Sequence, residues 1–177
     1  ALALVAIWIY HGDGGVATIE RAEQAFLLKY FLSSQSAILW MCVFVAMSTL
    51  GHWYALLFGR DGGYAGAFAS GLAWASVVAA LVGSLVRWYE SYLLGSDIGH
   101  IPVSNLYEVF VLFCWMTTAF GLYFESRYQT RAFSAFVMLV VSAAVGFIIW
   151  YSAVREAHEI QPLVPALQSW WMKLHVP

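Results

Sequence analysis

Few side chains here can bind a metal or move a proton. The five histidines, His11, His52, His100, His158 and His175, stand far apart, and no two fall at the i, i+3 or i, i+4 spacing of a helical metal site. Neutral imidazole is nevertheless a good ligand for iron, and a haem accepts a His/His axial pair. Histidines gathered on one side of the fold are therefore candidate ligands, with interfacial hydrogen bonding as the alternative role for each. His175 stands apart because it closes QSWWMKLHVP, just behind Trp170 and Trp171. Two indoles beside a histidine offer flat apolar walls to a porphyrin, and they equally suit the aromatic belt of a membrane interface.

Glu108 is the carboxylate that reads as lying within an apolar run, where an ionisable side chain is costly and by default suggests function. It stands three residues past Asn105, so the pair also fits a helix start, with Asn105 as cap and Glu108 complementing the helix dipole. Asn105, Glu108 and the neighbouring His100 are the candidate functional residues of this region. Arg87 and Glu90, at i, i+3, read as a local ion pair. Cys42 and Cys114 sit singly in apolar runs, as small buried hydrophobes. No nucleophile elbow, phosphate loop or paired-carboxylate site appears, and no catalytic residue is assigned.

The elements that must position these groups follow from composition. Hydrophobic residues make up 62% of the 177 and charged residues 10%, against roughly 45–50% and about 25% in soluble domains. That points to an all-α polytopic protein in a lipid bilayer. The net charge of −2, without a basic run, offers nothing to nucleic acid. Residues 37–58, 65–86, 106–124 and 132–151 are each long enough to cross a hydrocarbon core of ~30 Å, and helices satisfy their own backbone there. Residues 1–10 are apolar but shorter than a span and lack the features of a cleavable signal peptide. In residues 18–32, Ile19, Ala22, Phe26 and Lys29 fall on one face, predicting an amphipathic interfacial helix. The expected organisation is an N-terminal segment (1–34), a four-helix bundle (35–151) and a tail (152–177).

Within the second span, Ala67, Gly71, Ala75, Ala79 and Gly83 recur every fourth residue and predict a close-packing face. The stretch 88–104 should fold back onto the bundle through Ile101, Pro102, Val103 and Leu106. Lysines and arginines flank both ends of the spans, so charge does not orient the protein. Counting crossings puts His11, His100, His158 and His175 on one side and His52 near the other.

Three separated stretches, RWYESY, HIPVSNLYEVFVLF and EIQPLVPALQSWWMKLHVP, resemble the CcsA/ResC-type subunit of System II cytochrome c biogenesis, whose bacterial members are also labelled CcsB. The resemblance covers roughly residues 65–177. It implies a multi-pass protein of the bacterial inner membrane, its tail after Tyr151 periplasmic, working with a ResB-type membrane partner. The pair would carry haem b to the outer face and join its vinyl groups to the Cys-x-x-Cys-His thiols of apocytochrome c, as a haem lyase complex. The family's LHV histidine, an external axial haem ligand, matches His175, with Trp170 and Trp171 beside it in a possible haem pocket. The family's second external histidine and its tryptophan-rich WWD segment come further along than Pro177, so the chain is expected to be the amino-terminal portion of such a protein. No role transfers to His52. An electron-transfer bundle with histidine-ligated haem and a non-catalytic membrane scaffold are the alternatives.

Overall fold

The computed structural model describes residues 1–11, 19–58, 64–95, 99–156 and 159–160. Among them there are helices and connections but no strand. Four helices, α3 (Ser34–Phe58), α4 (Tyr64–Leu94), α5 (Leu106–Tyr128) and α6 (Arg131–Arg155), are long and apolar enough to cross a membrane. They run alternately up and down. The ends of α4, the starts of α3 and α5 and the chain beyond α6 therefore meet at one pole, where Arg87 and Glu90 bond Ser34, Glu108 and Glu159. The other pole gathers His52, Ser70, Glu125 and Ser134.

Between the four helices lies a core of branched and small side chains, among them Met41, Val45, Ala73, Val77, Val111, Val141 and Ile148. Leu50, Phe68, Trp74, Phe120 and Trp150 point outward, as suits helices whose outer solvent is lipid. The small-residue face of α4 is not the one expected. Ala67 and Gly71 are exposed, while Gly66, Ala69, Ala73, Ser76, Ala80 and Gly83 are buried at i, i+3 and i+4 spacing. A strict four-residue repeat drifts around a helix of 3.6 residues per turn, so its first members face outward, Ala79 packs at the edge of the core and Gly83 is buried. A Cβ at Gly83 would come within 2.8 Å of Ile38 Cγ1, and one at Gly51 within 2.9 Å of Ala69 Cβ. These two glycines let α3 and α4 approach each other closely.

Two helices outrun their hydrophobic stretches. Beyond Val86, α4 continues for two turns and buries Arg87, Glu90 and Ser91. Helix α5 continues through Glu125 to Tyr128, leaving only Gln129 and Thr130 before α6, with Gln129 in the left-handed region at φ 54°. The charged residues after Phe124, read as a connection, are mostly helix.

The N-terminal segment is also more broken than one amphipathic helix. It forms a short α2 (Arg21–Gln24), a π-helical turn (Leu28–Leu32) and an extended Ser33 before α3. Leu28 is fully buried and Ala22, Ala25 and Leu32 pack beside it, whereas Phe26, expected on one face with Ala22, is exposed. Helix α1 (Leu2–His11) lays Ala3, Ala6 and Tyr10 against Val82 and Val86 of α4. Tyr10 Oη donates to Glu90 Oε1 at 2.5 Å. Burial, and then the charge of Glu90, hold that phenol well above the ordinary tyrosine range, so it stays a donor.

The glycine contacts give a direct test of the α3–α4 interface. Gly83→Val should cost about 1–3 kcal/mol by overpacking, read as a lowered Tm in detergent. Gly71→Ala, whose Cβ would meet nothing within 4 Å, should leave Tm unchanged.

Candidate functional site

The site at the Arg87 pole is built on the start of α5. Asn105, in extended conformation, accepts from Glu108 N at 2.9 Å through Oδ1, while Glu108 Oε2 faces Asn105 N at 3.4 Å. This is the reciprocal capping box, which satisfies donors that the first helical turn leaves free. Ser104 adds its backbone N–H and its hydroxyl to Oε2, each at 2.9 Å. The other oxygen, Oε1, accepts from Arg87 Nε at 2.7 Å, with His100 Nε2 at 3.8 Å. Glu108 is 3% exposed and Arg87 2%, so the pair lies out of water.

Arg87 links three elements at once. Besides Glu108, its guanidinium lies 5.3 Å from the centroid of the Tyr107 ring, and Nη2 donates to the Glu159 carbonyl at 3.2 Å. The chain leaving α6 is thereby held against the same cation. One turn further along α4, Glu90 does not read as Arg87's local mate. It accepts from Tyr10 Oη, from Ser34 N at 3.1 Å and from Ser34 Oγ at 2.5 Å. Long-range partners displace the i, i+3 pair because both groups are buried, where each needs several well-placed partners.

The connection from α4 to α5 does fold back, though by polar anchors. His100 is buried, and its backbone N–H donates to Ser91 Oγ at 3.2 Å. Ile101 and Leu106, expected as apolar anchors, are largely exposed. Gly99 packs on the ring of Tyr92, where a Cβ would clash with the ring carbons, so no other residue fits there without rearrangement.

Of the candidates read from sequence, Asn105, Glu108 and His100 thus come together. His11 lies at the same pole, 3.3 Å from Tyr89 Oη. His158, Trp170, Trp171 and His175 fall outside the described residues. Among the described residues, both carboxylate oxygens of Glu108 face donors. Glu108 fixes geometry and is poorly placed to exchange protons. Arg87 and Ser104 were not singled out beforehand for this role. The Ser-Asn-x-x-Glu run was the available signal for Ser104, but a contact across 21 residues leaves no periodic trace.

A second polar group sits at the opposite pole and was missed in the sequence. Glu125 accepts from Ser70 Oγ at 2.7 Å and Ser134 Oγ at 2.5 Å, with His52 Nε2 at 3.5 Å. Reading Glu125 as part of a loop hid it.

Comparison with known proteins bears on the Arg87 pole. Residues 103–177 match the family of cytochrome c assembly proteins. The chain is related to cytochrome c biogenesis proteins of the CcsA type. It is 27% identical to "Cytochrome c biogenesis protein CcsA" of Chlorella vulgaris over 151 residues, covering 85% of this chain and 43% of the relative. The Synechococcus elongatus protein of the same name is 32% identical over 126 residues, 71% of this chain and 36% of the relative. That of Mesostigma viride is 32% identical over 91 residues, covering 51% and 27%. The chain therefore spans less than half the length of these relatives. No solved structure matches. The matched region opens at Val103, immediately before Ser104, and takes in Asn105, Glu108 and His175.

Removing one partner of a buried ion pair leaves an uncompensated charge. Glu108→Gln should cost on the order of 3 kcal/mol, and Asn105→Ala about 1 kcal/mol through the cap alone. Both are measured as stability in detergent. The double variant Arg87→Met/Glu108→Leu should recover much of the loss, because it removes both buried charges together.

Proposed function

We propose that this chain takes part in cytochrome c biogenesis, in moving haem to the outer face of the bacterial inner membrane and attaching it to apocytochrome c. The observation that carries this reading is the match of residues 103–177 to cytochrome c assembly proteins, which runs through both the Arg87-pole capping segment and the tail bearing His175. On this reading haem b is substrate, and a ResB-type membrane partner completes the system. The bundle is the scaffold, and the segment after α6 is the haem-facing part.

The described structure supports the division of labour. Helix α6 delivers the chain to the Arg87 pole, where Glu159 is already bonded to Arg87. His175 then acts as an axial ligand through its neutral imidazole, with Trp170 and Trp171 lining the ring. Held in this way, each haem vinyl group can be presented to a cysteine thiol of the Cys-x-x-Cys-His segment. The S–H adds across the vinyl double bond, forming the C–S bond and placing the hydrogen on the other vinyl carbon, with no net oxidation. Nothing in the Arg87–Glu108 cluster enters that step. Its task is to hold the α4–α5 connection and the chain leaving α6 in fixed relation. The electron-transfer alternative needs histidines paired at one depth on facing helices, whereas His52 faces a carboxylate, Glu125.

In a chain that continues through a WWD segment, His175→Ala should abolish haem co-purification and covalent haem attachment, and added imidazole should restore part of both by filling the vacant coordination position. An unchanged haem spectrum with full cytochrome maturation would refute the ligand assignment. Sidedness is tested separately. A cysteine at Ser96 or Ser169 should react with an impermeant maleimide from outside and one at Ser126 should not, against a low background because Cys42 and Cys114 are buried.

A further inference from the structure

The pole away from Arg87 holds an arrangement that the cytochrome c reading does not use. His52, on α3, is 3% exposed. Its Nδ1 lies 2.9 Å from the Ser48 carbonyl and 3.2 Å from Ser48 Oγ. The carbonyl can only accept, and the Ser48 hydroxyl hydrogen is directed to the Ala69 carbonyl at 2.8 Å. Both neighbours therefore require Nδ1 to carry a hydrogen.

In a neutral ring this leaves Nε2 as a bare lone pair. That lone pair faces Glu125 Oε2 at 3.5 Å, and Nε2 is a buried polar atom without a hydrogen-bond partner among the described residues. The carboxylate oxygen is likewise an acceptor, already receiving Ser134 Oγ, while its twin receives Ser70 Oγ. Two acceptors thus oppose each other beside a small cavity lined mainly by Ala73, Leu122, Val137 and Met138, with Thr118, Gly121 and Ser134. Such an arrangement is unfavourable out of water unless a positive hydrogen lies between them.

We infer that His52 and Glu125 form a proton-binding site at this pole, in which one proton from the aqueous side is held between His52 Nε2 and Glu125 Oε2. The proton adds to the Nε2 lone pair, and the resulting imidazolium donates to the carboxylate in a charge-assisted hydrogen bond. The site has an entrance. Glu125 also lines an open cleft of about 160 Å³ with Ser70, Trp74, Leu122, Ser126 and Gln129. Ser48 from its own helix and Glu125 from α5 face the ring; Ser70 from α4 and Ser134 from α6 bond Glu125, and Thr118 from α5 lines the same small cavity as His52. Glu125 is the charged one among them. Uptake of the proton ties α3 to α5, which no other ion pair joins among the described residues, and it does so independently of any haem chemistry.

The test is ¹⁵N-histidine NMR of the protein in nanodiscs across pH 5 to 8.5, with the His52 signals assigned by their loss in His52→Gln. The Nε2 resonance should move from the lone-pair to the protonated position as pH falls. In Glu125→Gln, which removes the facing charge, the midpoint should fall by about one pH unit or more. Ser134→Ala frees Oε2 from a competing donor and should move the midpoint up, so the inference remains testable if Glu125→Gln does not fold. Identical midpoints in wild type and a folded variant, or a ring that stays neutral throughout, would overturn it. So would a resonance that responds to added Zn²⁺ at fixed pH but not to pH, which would make the site one for a metal.

Discussion

A carboxylate taken out of water must be given donors, and the Arg87 pole is arranged around that requirement. Glu108 receives Arg87 from α4, Ser104 from the connection and the backbone of its own cap. Glu90 receives Tyr10 from α1 and Ser34 from α3. Each donor comes from a different part of the chain, so satisfying two anions fixes the relative positions of α1, α3, α4, α5 and the residues after α6. A buried ion pair contributes little net stability against a well-packed apolar substitute. What it does here is exclude alternatives, because sliding any one of these helices along its axis strips a charged group of partners it cannot replace in lipid.

Packing in the middle of the bundle has less power to do this. Helices in lipid gain little from burying leucine against leucine, and association rests on close approach and hydrogen bonds. The contacts at Gly51 and Gly83 supply close approach between α3 and α4, and Thr49 reaches across to the Met138 carbonyl and Ser142. These contacts set distance more than register. Register is set at the two poles, where directional polar groups meet.

Much of this architecture was legible from composition alone. Uninterrupted apolar runs specify helices that cross a bilayer because no other open-ended element satisfies its backbone there, and the four spans follow directly. The cap at Asn105 was equally visible, since it is a local pattern with a local cause. What was hidden was whatever depends on contacts between spans. The i, i+3 spacing of Arg87 and Glu90 suggested a pair, but Glu108 and Ser34 compete for them from distant parts of the chain. The repeat beginning at Ala67 had the right residue types and the wrong period, so the helix turned it away from its neighbour. Glu125 was misread because a cluster of charges after Phe124 looks like a loop, while the helix continues until Gln129 turns it.

The two poles solve the same problem to different degrees, and that difference separates their roles. At the Arg87 pole every oxygen of Glu108 faces donors and the cation is permanent, since a guanidinium does not lose its charge in proteins. Such a site suits a fixed support for the α4–α5 connection and for the chain leaving α6, which Arg87 holds through the Glu159 carbonyl. At the other pole the cation would be an imidazole, whose charge is conditional, and the carboxylate it faces opens toward a cleft. The two poles thus differ in kind: one anion is held by a permanent cation, the other by two hydroxyls and a facing imidazole.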